Sequence, residues 1–199
     1  MAATQFHAGD VIVFAGRGWI SRLIALGTCP LQLLLGRGDS HIGICADYCG
    51  RVLLFESTTL SDMACEITGK RMRGVKAVDP RRRIEGYKGK AWILRPAEDQ
   101  RADLDRSPAA AATLSEYLVD RVGVPYEQFN TLVIAGSRYL KRSWLFRQDA
   151  SRLFCSEMVA LVLERIQWIG RSNASTYTPN SLARKLVYEG TYQPRSRIL

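Results

Sequence analysis

Apolar and polar positions along this 199-residue chain follow two regimes. Up to Arg95 the apolar residues come in short runs or alternate with polar ones, which is the period of strands. Beyond it they recur at three- and four-residue intervals, which is the period of helices. Gly9-Asp10 turns into Val11-Ile12-Val13-Phe14, a short buried strand broken by Gly16-Arg17-Gly18. His41-Ile42-Gly43-Ile44-Cys45 alternates, with Ile42 and Ile44 on one face and His41, Gly43 and Cys45 on the other. That second face has little bulk, so another element can approach it closely. Tyr48-Cys49-Gly50-Arg51 turns the chain into Val52-Leu53-Leu54-Phe55-Glu56, the second arm of a hairpin. Residues 58–70 are polar and irregular. Gly74-Val75-Lys76-Ala77-Val78 is a further strand, Asp79-Pro80 starts a short basic helix through Ile84, and a strand over 90–95 is closed by Pro96.

The second regime opens after residues 103–108, which read as a linker of alternating charge. A helix is expected over 109–122, with Leu114 and Leu118 at i, i+4, and another over 129–139. A last short helix starts at Thr178-Pro179-Asn180-Ser181. Between Trp19 and Leu26 a helix is stopped by Gly27 and Pro30. Strands first and helices second make an α+β arrangement, and 199 residues suit one domain spanning 1–199.

The stretch with most chemical interest begins at Phe154-Cys155-Ser156-Glu157-Met158-Val159. Cys155, Met158, Val159, Val162 and Ile166 form one apolar helical stripe, with Glu157, Glu164 and Arg165 off it. Asp149 and Ser151 are placed to cap the start, and the run ends at Gly170. A thiol in a first helical turn sits at the positive end of the backbone dipole, which favours its anion. The stretch alone supports two readings, a nucleophile or a small buried apolar residue on a core helix.

Composition narrows the field. Apolar content of 47% and charged content of 24% are those of an ordinary globular chain. No basic start followed by an apolar run opens the sequence, and residues 19–35 are interrupted by Arg22, Pro30 and Gln32, so neither a signal peptide nor a membrane span is expected. A cytoplasmic protein with reduced thiols fits the five cysteines better than a disulfide framework. Cys45 and Cys49 have a spacing that zinc can use, but no second pair follows and the chain has only His7 and His41, so no metal or cofactor is expected. The net charge of +9 implies affinity for an anionic surface or polymer. It is concentrated at Lys70-Arg71-Met72-Arg73, Lys76 and Arg81-Arg82-Arg83, and again over residues 138–152. Most of this reads as solvated surface, and no nucleic-acid motif accompanies it.

A cysteine nucleophile needs a base, and the base needs an orienting partner. His41 on a strand, Glu56 on the neighbouring strand and Cys155 at a helix start supply one of each. His7 precedes the first strand, at the surface.

Gly9-Asp10-Val11-Ile12, Ser40-His41-Ile42-Gly43-Ile44, Phe55-Glu56-Ser57-Thr58, Gly123-Val124-Pro125-Tyr126 and Phe154-Cys155-Ser156-Glu157-Met158-Val159 resemble the landmarks of the circularly permuted, papain-like branch of the NlpC/P60 superfamily. That branch includes the YiiX/YebB-like hydrolases and, more distantly, lecithin:retinol acyltransferase-like proteins. The order His, polar residue, Cys is that of the permuted branch. The resemblance implies an antiparallel sheet packed against helices, with the nucleophile at a helix N-terminus. It also implies Cys155 as nucleophile, His41 as general base, Glu56 as the group holding the imidazole and Tyr126 as an oxyanion donor. Ser57-Thr58-Thr59 offers hydroxyls that can share the orienting role. The Arg-rich segment 137–152, with Trp144 and Phe146, matches no family landmark and suits a lid or substrate-binding insert.

The leading expectation is a cysteine hydrolase cleaving an amide bond in a peptide or peptidoglycan-type substrate. A wall substrate would need a delivery route such as a phage or a lysis event. A second reading keeps the triad and makes it a lipid-directed acyltransferase or thioesterase, peripheral to membranes through the apolar, Arg-flanked residues 19–35. The third is a non-enzymatic binding module using the basic surface.

Overall fold

Cys49 and Gly50 take φ of 52° and 76°, the left-handed geometry that a two-residue hairpin turn requires. They join β2 (His41–Tyr48) to β3 (Arg51–Thr58), the hairpin read from the alternation. The computed structural model describes residues 4–16, 39–59, 61–126 and 154–199. Its other strands are β1 (Val11–Gly16), β4 (Gly74–Val78), β5 (Gly89–Leu94) and β6 (Ser196–Arg197). All pair antiparallel in one sheet of order β4-β3-β2-β1-β5-β6. The described helices are α1 (Pro80–Glu85), α2 (Glu98–Arg106), α3 (Pro108–Val119), α4 (Cys155–Arg165) and α5 (Pro179–Tyr188). The arrangement is α+β, and none of these helices is long and apolar enough to cross a membrane.

Period-2 alternation gives the sheet two unequal faces. Ile42, Ile44, Val11, Val13 and Phe55 join the main core with Leu114 and Leu118 of α3, Met158, Val159 and Val162 of α4, and Leu182 and Leu186 of α5. Ile12, Phe14, Cys45, Leu54 and Val78 form a smaller cluster on the other face under Ile84 of α1. Each fully buried Leu or Val contributes about 1.5–3 kcal/mol, and Leu114 and Leu118 anchor α3 on the core with Ala110, Ala111, Tyr117 and Val119 packed around them.

Helix starts follow their local chemistry. Asp79 accepts from the Arg82 amide at 2.9 Å ahead of Pro80, and Thr178 and Ser181 form a capping box ahead of Pro179.

Several expectations need correction. Residues 103–108 are no linker, because Asp103 and Leu104 lie inside α2. That helix is held by long-range contacts: Arg101 reaches Asp10 at 2.9 Å and Trp168 donates to Asp103 at 3.0 Å. Helix α4 ends at Arg165 rather than at Gly170, because Gln167 takes a φ of 63°. Glu157, set off the apolar stripe, is nevertheless 2% exposed. Strand β6 had no sequence signal, and it returns the C-terminal residues to the edge of β5. The helices expected over 19–26 and 129–139, the apolar 31–35, Cys29, the caps Asp149 and Ser151 and the segment 137–152 lie outside the described residues.

Candidate active site

Strand register builds the site. Glu56 pairs across the sheet with Gly43, not with His41. A diagonal cross-strand neighbour lies within reach of a long side chain when nothing blocks the path. Gly43 leaves that path clear: a Cβ there would come within 2.7 Å of the Phe55 carbonyl and 2.9 Å of Leu54. The element that comes onto the His-Gly-Cys face is α1, whose Ile84 joins Cys45 in the smaller cluster. Glu56 Oε2 meets His41 Nε2 at 2.8 Å, with Glu56 fully buried and the His41 side chain 13% exposed. The carboxylate is therefore in hydrogen-bonding contact with this ring nitrogen.

The imidazole has a second partner in Cys155. Helix α4 packs on the Ile42/Ile44 face, and its first turn brings the Cys155 side chain into hydrogen-bonding contact with His41. The N-cap of α4 is Phe154, whose side chain has no polar atom to occupy the first-turn amides. Cys155, His41 and Glu56 are thus brought together from α4, β2 and β3.

Tyr126 arrives by a separate route. Gly123 donates to the Val75 carbonyl at 2.9 Å and Val75 donates to the Val124 carbonyl at 2.9 Å, laying residues 123–126 along the outer side of β4. Gly74 permits this, with a φ of 107° and a hypothetical Cβ only 2.1 Å from the Val124 oxygen. The Tyr126 ring then rests on Phe154, the residue before Cys155, at a centroid distance of 5.5 Å. His7 lies apart from the group, 41% exposed beside Asp10.

One residue of the site was missed. Arg83, read as part of a solvated basic run, is buried with its Nε 2.9 Å from both oxygens of Glu56. Its guanidinium lies over the rings of Phe14, at 4.9 Å, and Tyr87, at 5.2 Å. A signal for it existed. On a helix starting at Pro80 the inward positions are 80, 83 and 84, and Ile84 already marks that face.

The row runs Arg83, Glu56, His41, Cys155, with the carboxylate set between a guanidinium and an imidazole. Burial works against the Glu56 carboxylate, but the imidazole and the guanidinium outweigh it and hold its pKa at about 2. Burial likewise works against a charged imidazole, yet Cys155 and Glu56 together lift His41 to about 9. The imidazole therefore carries a proton at neutral pH and can give it up as an acid.

No family model and no curated protein matches the chain. Among solved structures it is similar to the crystal structure of the metalloprotein yiiX from Escherichia coli O157:H7, DUF1105. The match has a TM-score of 0.54 and 17% identity and covers 98% of each chain. The fold is YiiX-like. The word metalloprotein describes that neighbour and not this chain. Among the described residues of this chain no group of three or more His, Cys, Asp and Glu side chains is gathered to hold a metal ion, and both Glu56 oxygens already face a guanidinium. Cys45 is buried within β2 while Cys49 is exposed at the hairpin tip, so that pair does not converge. These residues do not fit a metal centre.

Proposed function

We propose that this protein is a cysteine hydrolase of the permuted papain-like, NlpC/P60 type, cleaving an amide bond in a peptide or peptidoglycan-type substrate. The observation that carries the reading is the continuous contact Glu56–His41–Cys155, with the thiol in the first turn of a helix. The YiiX-like fold and the order His41, Glu56, Cys155 support it.

In this mechanism the Cys155 sulfur, its proton held by His41, attacks the carbonyl carbon and forms an S–C bond. The carbonyl oxygen takes the electron pair, and the first-turn amide of α4 with the Tyr126 hydroxyl stabilises it. The intermediate collapses with C–N cleavage, and His41 hands its proton to the departing amine. Water, deprotonated by His41, then attacks the acyl carbon and breaks the S–C bond. The acid product leaves, and the thiol and imidazole again share their proton. Glu56 remains ionised throughout and keeps the imidazole oriented.

The test is iodoacetamide labelling of each cysteine against pH, wild type beside His41→Ala, resolved by peptide mass mapping. Low-pH reactivity alone is not decisive, because a second cysteine competes for that signature. Burial raises the pKa of the Cys65 thiol, but amide donors from Ala77, Thr68 and Ile67 outweigh it and bring the pKa below its ordinary value. Dependence on His41 separates the two. Labelling of Cys155 that falls in His41→Ala while Cys65 is unchanged supports the pair; equal labelling in both proteins overturns it.

A further inference from the structure

We propose that Arg83 is a positioning residue for this site: it fixes the plane of the Glu56 carboxylate against His41 and thereby governs how readily Cys155 reacts. This rests on the reading of Cys155, His41 and Glu56 as the reacting row.

Three observations converge on Arg83. Its Nε sits 2.9 Å from each Glu56 oxygen, so the donor straddles the carboxylate and opposes rotation about its last torsion. One of those oxygens, Oε2, is the atom that meets His41. The guanidinium is also held in place: its side chain is 9% exposed and packs over Phe14 and Tyr87. Phe14 in turn lies 5.6 Å from the His41 ring. Arg83 therefore touches the imidazole's surroundings twice, by charge through Glu56 and by packing through Phe14.

A buried ion pair is a poor device for stability, since well-packed apolar residues commonly do as well. It is a good device for orientation. A buried carboxylate with a single imidazole partner takes up a proton more readily, and a protonated Glu56 no longer attracts the imidazolium. Other groups face this carboxylate as well. Lys76 of β4 is its cross-strand partner and contributes charge, with its Nζ anchored to the carbonyls of Ser61 at 2.6 Å and Met63 at 3.2 Å. Tyr87, beyond α1, senses the charges of both Arg83 and Glu56. Only His41 and Arg83 make side-chain hydrogen bonds to Glu56 among the described contacts.

The experiment is a double-mutant cycle read by the rate of iodoacetamide labelling at Cys155 across pH: wild type, Arg83→Met, Glu56→Gln and the double variant. Arg83→Met is expected to slow labelling at pH 6 about tenfold, the equivalent of about one pH unit in the profile. In the Glu56→Gln background the same change is expected to alter the rate less than about twofold, because Arg83 acts through Glu56. An Arg83→Met profile that superimposes on wild type overturns the proposal, as does an equal loss in both backgrounds. Arg83→Met strands a buried carboxylate and can fail to fold. Arg83→Lys then decides, since it keeps the charge and loses Nε: a shifted profile supports the proposal and a superimposed one overturns it. His41→Ala run alongside identifies failure of the underlying reading, in which Cys155 gains nothing from His41 and all the curves coincide with it.

Discussion

Two buried carboxylates on this sheet each face an arginine, and their acidities move in opposite directions. Asp10, fully buried at the start of β1, accepts from Arg101 at 2.9 Å and from the His7 amide at 2.9 Å. Burial wins there, and its pKa rises above the ordinary value despite Arg101. At Glu56 the same burial loses, and the pKa falls to about 2. The difference lies in the partners. Arg101 is 27% exposed and shares its charge with solvent, whereas Arg83 is 9% exposed and is joined at Glu56 by an imidazole 2.8 Å away. The Asp10 corner ties the N-terminal strand to α2 and, through the Tyr192 hydroxyl donating to the Gly9 carbonyl at 2.9 Å, to the C-terminal residues. The Glu56 row keeps an anion ready beside a histidine. An arginine–carboxylate contact on its own does not tell the two apart; depth and the second partner do.

The largest effect expected from this contrast is on reactivity. Glu56→Gln should lower turnover by about a hundredfold to ten-thousandfold, in the range of lost acid–base assistance, and labelling of Cys155 should fall with it. Asp10→Asn should leave labelling unchanged and cost about 1–3 kcal/mol in urea unfolding. A reactivity loss in Asp10→Asn would erase the distinction. Next in size, Tyr126→Phe should slow turnover on the order of a hundredfold, the cost of one oxyanion donor, without altering labelling. Parallel losses in both readouts would place Tyr126 with Glu56 instead. Gly43→Ala should cost about 1–3 kcal/mol and also reduce labelling, because the added Cβ closes the diagonal path.

The smallest expected effect is on the pH dependence of stability, measured as urea unfolding between pH 3 and 10. Glu56 has a folded value of about 2 against an ordinary 4.5, so its contribution is complete above 4.5 and is lost as pH falls toward 2. His41, at about 9 against 6.5, contributes fully below 6.5 and loses that contribution as pH rises through 9. Asp39 has the opposite sign to Glu56. Burial lifts it to about 6 in spite of Arg195, so stability falls as pH rises from 3.8 to 6. Asp39→Asn should shrink that fall, with the remainder due to Asp10, whose pKa burial also raises, and leave the alkaline loss intact, whereas His41→Ala should remove the alkaline loss.

Much of the sheet and part of the site were legible because they depend on local patterns. Alternation placed His41 and Gly43 on one face, and Cys49-Gly50, Pro80 and Pro179 punctuated the elements where they occur. Helix α2 was misread because Leu104 is its one buried residue and its charges alternate, so periodicity carried almost nothing. What makes it a helix is distant, namely Asp10 and Trp168. Arg83 was hidden by its neighbours Arg81 and Arg82, which share its chemistry but face solvent. Composition cannot separate three consecutive arginines, and helical phase can.

The segment that delivers Tyr126 also covers the outer backbone of β4. Val75 bonds residues 123 and 124, and the Ala77 carbonyl accepts from Glu66 at 2.8 Å. An open edge at this position would offer a pairing template to another chain. Site assembly and colloidal behaviour therefore share one fastening at Gly74: a side chain there would displace the tyrosine and bare a strand together, and the damaged protein would announce itself by concentration-dependent association.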